Sequence, residues 1–234
     1  MRLGGLQKMT LLDFPGRVAC TVFTVGCNFR CPFCHNSSLV LAPQVPELSQ
    51  DTFFAFLEKR RGLLDGVAIT GGEPMLHPDL PDLMRRIRSL GFAVKLDTNG
   101  SYPDRLATVL DEGLADYVAM DVKNSREKYE QTAGVPGILP QVERSVRLLM
   151  DGRTPFEFRT TLVDELHEPE DFTAIGRWIG GDEPYFIQGF VDSGDVLAGG
   201  MHAANTAKAL ACLAAAKAYL PNAALRGIDE KKAE

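Results

Sequence analysis

No run in this sequence is long and apolar enough to cross a bilayer: the apolar stretch from Val18 to Val25 falls far short of the roughly 20 residues that a spanning helix needs. The segment from Met1 to Thr10 has no apolar core, so it does not read as a secretory signal, and a cytoplasmic location without membrane contact is expected. A surplus of basic charge is missing too. Lys and Arg number 25 against 31 Asp and Glu, a net charge of -6, and no basic patch stands out, which argues against a nucleic-acid partner. Five cysteines is an odd number and fits poorly with a disulfide framework. Internal repeats, low-complexity linkers and breaks in composition are also lacking. The 234 residues therefore read as one domain over 1–228, with 45% hydrophobic content ample for its core and a charged tail, 229–234, that should fray.

What is present is an alternation of strand-like and helix-like segments. Arg17 to Val25, Gly66 to Thr70, Phe92 to Asp97, Tyr117 to Asp121, Phe156 to Thr161 and Tyr185 to Phe190 are short runs rich in Val, Ile, Phe or Tyr and read as buried parallel strands. Ser49 to Arg61, Pro78 to Leu90, Pro103 to Glu112, Leu139 to Asp151, Pro169 to Ile179 and Asn205 to Leu220 carry helical spacing, several with a proline near the first turn. Six βα units in succession imply an α/β fold, either a right-handed parallel barrel or an open doubly wound sheet. In both, ligands gather at the C-terminal ends of the strands.

The first of those ends carries Cys27, Cys31 and Cys34 on one loop. Three thiolates held so close can ligate three irons of a cubane 4Fe-4S cluster and leave the fourth iron open for chemistry. A Cys3His zinc site completed by His35, in a non-catalytic interaction module, is the alternative; such sites usually draw on two separated pairs of ligands. Inert thiols are the third reading. Cys20 lies in an apolar strand-like run and Cys212 in an Ala-rich helical one, and both read as small buried hydrophobes.

Later strand ends carry polar motifs. Thr70-Gly71-Gly72-Glu73-Pro74 combines two glycines, which let backbone approach a ligand, with a carboxylate that can accept from an ammonium, although it could equally be an ordinary turn. Asp97-Thr98-Asn99-Gly100 could be turn and cap chemistry, and Lys123 a solvated charge. Strand alternation nevertheless sets Asp121 and Lys123 on one face. Arg159 stands at the fifth predicted strand end and Gln188 at the sixth. His77, His167 and His202 fall in helix-start or loop contexts and are not assigned a direct role.

Together these residues resemble the radical S-adenosylmethionine (SAM) superfamily. The Cys-x3-Cys-x2-Cys loop matches its signature, including the aromatic Phe33 before the last cysteine, and His35-Asn36 continues it in the form usual for glycyl-radical-enzyme activases. The resemblance implies a partial (βα)6 TIM-like barrel, one 4Fe-4S cluster on Cys27, Cys31 and Cys34, and SAM chelating the open iron. It further implies that Gly71, Gly72 and Glu73 hold the SAM amino group, that Asp97, Thr98 and Asn99 border SAM, and that Lys123 beside Asp121 binds its carboxylate, with Arg159 as a second cation. Formate-lyase-type activases usually have a histidine near Gln188, and an amide there can donate a hydrogen bond but cannot titrate.

The opening segment, Gly4-Gly5-Leu6-Gln7-Lys8 through Leu12-Asp13-Phe14-Pro15-Gly16, resembles activating proteins of anaerobic ribonucleoside-triphosphate reductase. The implied activity is reductive cleavage of SAM, with an electron from flavodoxin or ferredoxin, to a 5'-deoxyadenosyl radical that abstracts hydrogen from a glycine of that partner. Activation of a pyruvate formate-lyase-like enzyme and modified-purine-type chemistry on a small molecule are the alternatives within the superfamily. One further expectation comes from charge. Asp97, Asp121 and the SAM carboxylate would crowd three negative groups around Lys123, so a bound monovalent cation is expected there, its oxygen shell completed by the Thr98 hydroxyl, unless one aspartate merely caps a helix.

Overall fold

The structure, a computed structural model, describes residues 1–41, 47–152, 154–192 and 194–228; the tail expected to fray lies outside them. Among the described residues eight strands form one sheet in chain order: β1 (Leu3–Thr10), β2 (Ala19–Thr24), β3 (Gly66–Gly71), β4 (Ala93–Thr98), β5 (Tyr117–Asp121), β6 (Phe156–Leu162), β7 (Tyr185–Gly189) and β8 (Ala223–Arg226). Strands β2 to β8 run parallel, and β1 folds back antiparallel onto β2. The connections carry α1 (Ser37–Leu41), α2 (Gln50–Glu58), α3 (Leu80–Ser89), α4 (Pro103–Asp111), α5 (Tyr129–Ala133), α6 (Leu139–Asp151), α7 (Pro169–Ile179) and α8 (Thr206–Lys217).

The six expected βα units form, and two further strands flank them. In β1, Gly4 and Gly5 break the strand pattern, and pairing with β2 through Leu6 and Val22 imposes what propensity does not. The short β8, Ala-Ala-Leu-Arg, has no β-branched residue and is held by its ladder to β7. Local signals set the helix starts: the Ser49 side chain accepts from Thr52 N–H at 3.1 Å, and Asn205 accepts from Lys208 N–H at 2.8 Å. Proline occupies the first turn of α3, α4, α6 and α7.

Alternation along the strands divides the sheet into two unlike faces. Val67, Ile69, Val94, Leu96, Val118, Met120, Phe156 and Phe158 are buried in the core beneath the helices. The opposite face carries Thr70, Lys95, Asp97, Asp121, Glu157, Arg159, Thr161, Gln188 and Arg226, which line the lumen of the curled sheet. Strands buried on both faces are expected to be apolar throughout; here the lumen rows are polar, so the barrel encloses a site and not a second apolar core.

The opening segment closes the floor. Phe14 is buried 6.5 Å from the Tyr117 ring, Asp13 accepts from the Thr21 hydroxyl at 2.5 Å, and a Cβ on Gly66 would meet the Phe14 ring at 2.9 Å. The lack of a side chain at Gly66 is what lets Phe14 seat.

Candidate active site

At the C-terminal ends of the strands lies a cavity of about 480 Å³, within the range of small-molecule sites. Every residue named above as a ligand of cluster or SAM lines it: Cys27, Phe33, Cys31, Cys34, Gly71, Gly72, Glu73, Asp97, Thr98, Asn99, Asp121, Lys123, Arg159 and Gln188. Residues up to 161 positions apart in the chain meet there because the parallel strands all end on one side.

The cysteine loop is fixed by backbone hydrogen bonds from three directions. Arg30 N–H donates to Ala133 C=O at 2.9 Å, at the end of α5. Leu197 and Ala198 N–H donate to Cys34 and Pro32 C=O at 3.0 and 2.9 Å, and Glu73 N–H donates to Gly26 C=O at 2.8 Å. The three cysteines are free thiols. Burial pushes the Cys27 thiol up to about 12 and the Cys31 thiol to about 11, so loading a metal here must displace protons. Phe29 N–H donates to Cys27 Sγ at 3.3 Å and the Asn99 amide approaches it at 3.8 Å, donors suited to a thiolate that carries charge.

Among the described residues no three His, Cys, Asp or Glu side chains are arranged to hold a single metal ion, as a zinc site would require. Three thiols around one cavity, each free to take its own iron, fit a cubane.

Gly71 and Gly72 are required by a close approach, but to the protein itself. Gly71 has φ +111°, and a Cβ there would meet Thr24 N at 2.4 Å; a Cβ on Gly72 would meet Gly26 O at 2.0 Å. The pair lets the end of β3 press against the start of the cysteine loop. Glu73, 1% exposed, uses Oε1 to accept from Met75 N–H at 3.0 Å and the Thr98 hydroxyl at 2.8 Å, and Oε2 to accept from Asn99 N–H at 2.7 Å. Burial outweighs these bonds and lifts the carboxyl to about 7.

On the lumen wall the acidic pair is embedded in cations. Arg159 reaches Asp121 at 2.9 Å and Asp97 at 3.1 Å, Lys123 reaches Asp121 at 3.0 Å, and Lys95 pairs with Asp97. Burial opposes ionisation of both aspartates, yet Arg159, with Lys123 at Asp121 and Lys95 at Asp97, holds them below the usual carboxylate range. Lys123 also lies 6.0 Å from the centre of the Phe33 ring.

Around the expected cation position the aspartates already have close side-chain partners. Lys95, paired with Asp97, adds a third side-chain cation to the expected Lys123 and Arg159, and the Thr98 hydroxyl donates to Glu73. Neither aspartate caps the helix that follows it: the N-cap residue is Tyr102 in α4, after Asp97, and Lys128 in α5, after Asp121.

Sequence reading passed over Lys95, Glu157, Thr161 and Arg226. The available signal was period two: Lys95 with Asp97, and Glu157 with Arg159 and Thr161, are polar residues at every second position, and apart from Thr98 and Thr160 the residues alternating with them are apolar. Arg226 lies on the unforeseen β8, bonds Glu157 at 3.0 and 3.2 Å, and lies over the Phe186 ring at 3.7 Å. The histidines without an assigned role have structural partners. His77 bonds Val25 C=O at 2.9 Å, buried His167 bonds Lys123 C=O at 2.9 Å, and His202 bonds Glu165.

Comparison with known proteins bears on the same residues. The Radical SAM superfamily profile matches residues 21–173. A Methanocaldococcus jannaschii protein named as a glycyl-radical enzyme activating enzyme is 30% identical over 197 residues, covering 80% of this chain and 79% of that one. A Halobacterium salinarum protein named as a GTP 3',8-cyclase is 41% identical over 98 residues, 39% of this chain and 27% of that one. Among solved structures, Streptococcus suis SuiB bound to S-adenosylmethionine superimposes with a TM-score of 0.69 at 13% identity, over 87% of this chain and 49% of that one, a likeness of fold. The matched span begins inside β2 and takes in the cysteine loop, the Gly-Gly-Glu-Pro turn and both aspartates, and by that match the chain belongs to the radical SAM superfamily.

Proposed function

We propose that this radical SAM enzyme is a glycyl-radical-enzyme activase whose partner is anaerobic ribonucleoside-triphosphate reductase, working in an anaerobic cytosol with flavodoxin or ferredoxin as electron donor. The carrying observation is the extent of similarity. The alignment with the relative named as an activating enzyme spans four-fifths of both chains, whereas that with the relative named as a cyclase spans 39% of this chain and 27% of the other. The choice of reductase rests on the opening segment through Gly16, and Gln188 weighs against a formate-lyase-type partner.

When bound, the reduced 4Fe-4S cluster and SAM together supply a one-electron cleavage that yields the hydrogen-abstracting radical. Cys27, Cys31 and Cys34 would hold three irons, leaving one for the amino and carboxylate groups of SAM. Lys123, held by Asp121, which Arg159 grips as well, would present its charge to that carboxylate. A carboxylate has about four lone-pair sites. Glu73 spends three on Met75, Thr98 and Asn99, so one stays available for the SAM ammonium. Phe29, buried, and Val40 give the cavity apolar lining on the side of the cysteine loop.

The test mixes reduced, iron-reconstituted protein and SAM with an anaerobic ribonucleoside-triphosphate reductase or a formate lyase, and follows the glycyl radical by electron paramagnetic resonance. A radical on the reductase is expected. A radical on the formate lyase alone would move the assignment to that class. SAM cleavage with a radical on neither would favour a small-molecule substrate.

A further inference from the structure

Asp97 and Asp121 end the neighbouring strands β4 and β5, and Arg159 on β6 joins them, one nitrogen 3.1 Å from Asp97 Oδ2 and others 2.9 Å from Asp121 Oδ1. The Arg159 side chain is 12% exposed and Asp97 14%, so that contact forms out of bulk water, where an unpaired charge is costly, while Asp121, 31% exposed, faces the cavity. With Lys95 on Asp97 and Lys123 on Asp121, the cluster holds two negative and three positive groups, and the adjacent Glu157, which also faces Arg159, is balanced by Arg226. The surplus of one positive charge matches a single ligand carboxylate. Without Arg159 the balance falls to zero, and binding a carboxylate would leave one negative charge uncompensated unless a small cation entered from solution.

We infer that Arg159 is a tethered cation bridging Asp97 and Asp121, which makes the SAM-carboxylate side of this site independent of dissolved monovalent ions. A planar fork with fixed donors suits the role because it touches both carboxylates at once, which the single point charge of a lysine does less well. Arg159 acts through the aspartates and Lys123, as a positioning residue. The inference rests on the cofactor site and not on the identity of the partner.

Binding of SAM to the reconstituted protein is measured in sodium, potassium and tetramethylammonium buffers of equal ionic strength. Melting of the metal-free protein is followed in the same buffers. Wild-type affinity and melting temperature are expected to agree across the three. Arg159→Ala in tetramethylammonium should bind SAM about ten-fold to a hundred-fold more weakly, the size of one buried charge-assisted contact. Sodium or guanidinium ion should restore much of that loss and raise the melting temperature of the variant alone. Rescue by a free cation separates a charge role from a packing role.

A wild-type protein that needs sodium overturns the inference. So does an Arg159→Ala variant that binds like wild type without small cations, or one whose loss neither ion repairs. If Arg159→Ala does not fold, Arg159→Lys takes its place, with a smaller loss and partial rescue expected, and the wild-type comparison still decides. Because SAM binding is read and not glycyl radical formation, a wrong partner assignment leaves the result intact.

Discussion

Cys27 differs from Cys20 in what surrounds the sulfur. Burial pushes both thiols up to about 12, but Cys20 is sealed in the apolar core, whereas Cys27 opens onto the cavity with Phe29 N–H and the Asn99 amide aimed at it. A high thiol pKa alone therefore does not separate a ligand from a core residue; donors and an open wall do. Replacing any one of Cys27, Cys31 or Cys34 by Ala should abolish stable cluster retention, because two thiolates hold a cubane poorly. Cys20→Ala and Cys212→Ala should keep full iron content. Iron and sulfide counting on reconstituted variants checks this, and a folded Cys20 variant without iron would contradict it.

At the scale of elements, the cysteine loop owes its shape to chain far away in sequence. Gly134, at the end of α5, has φ +69°, and a Cβ there would meet Arg30 O at 2.4 Å. The same turn supplies Ala133 C=O, which accepts from Arg30 N–H. Gly134→Ala should therefore combine left-handed backbone strain with displacement of the loop, a cost of roughly 1 to 3 kcal/mol. Iron retention should fall with it, although no ligand is altered. Gly113, also at positive φ but with open space where a Cβ would sit, is the control: Gly113→Ala should pay strain alone and keep its iron. Equilibrium denaturation with iron counting on both variants distinguishes the two effects, and equal iron retention would show that the loop does not depend on α5.

On the scale of the whole molecule, buried charge in the lumen couples global stability to pH. Glu73 is raised from an ordinary carboxyl value to about 7 by burial, so between about 4.5 and 7 the native state keeps a proton that the unfolded chain releases. Stability of the metal-free protein should fall as pH rises through that window, by on the order of 3 kcal/mol for this group. Asp121, held low, acts in the opposite sense and only in stronger acid, where protonation would cost stability. Glu73→Gln cannot ionise and should flatten the slope. Denaturant midpoints from pH 5 to 8 for both proteins check it, and parallel curves would place the titration elsewhere.

The sequence alone determined the six βα units, most helix limits to within three residues, and the set of residues at the strand ends, because periodicity, caps and turn glycines are local and the parallel order brings every strand end to one side. The cysteine spacing is local as well. Only the tertiary structure decided β1 and β8, since pairing with a neighbour overrides weak propensity in Gly4-Gly5 and Ala223-Ala224. It also decided which charges meet: Lys95 and Asp97 are two residues apart, but Arg159 joins them from 62 residues further on. Electrostatic balance depends on distances across the lumen, and those follow from how the sheet curls and not from any one segment of chain.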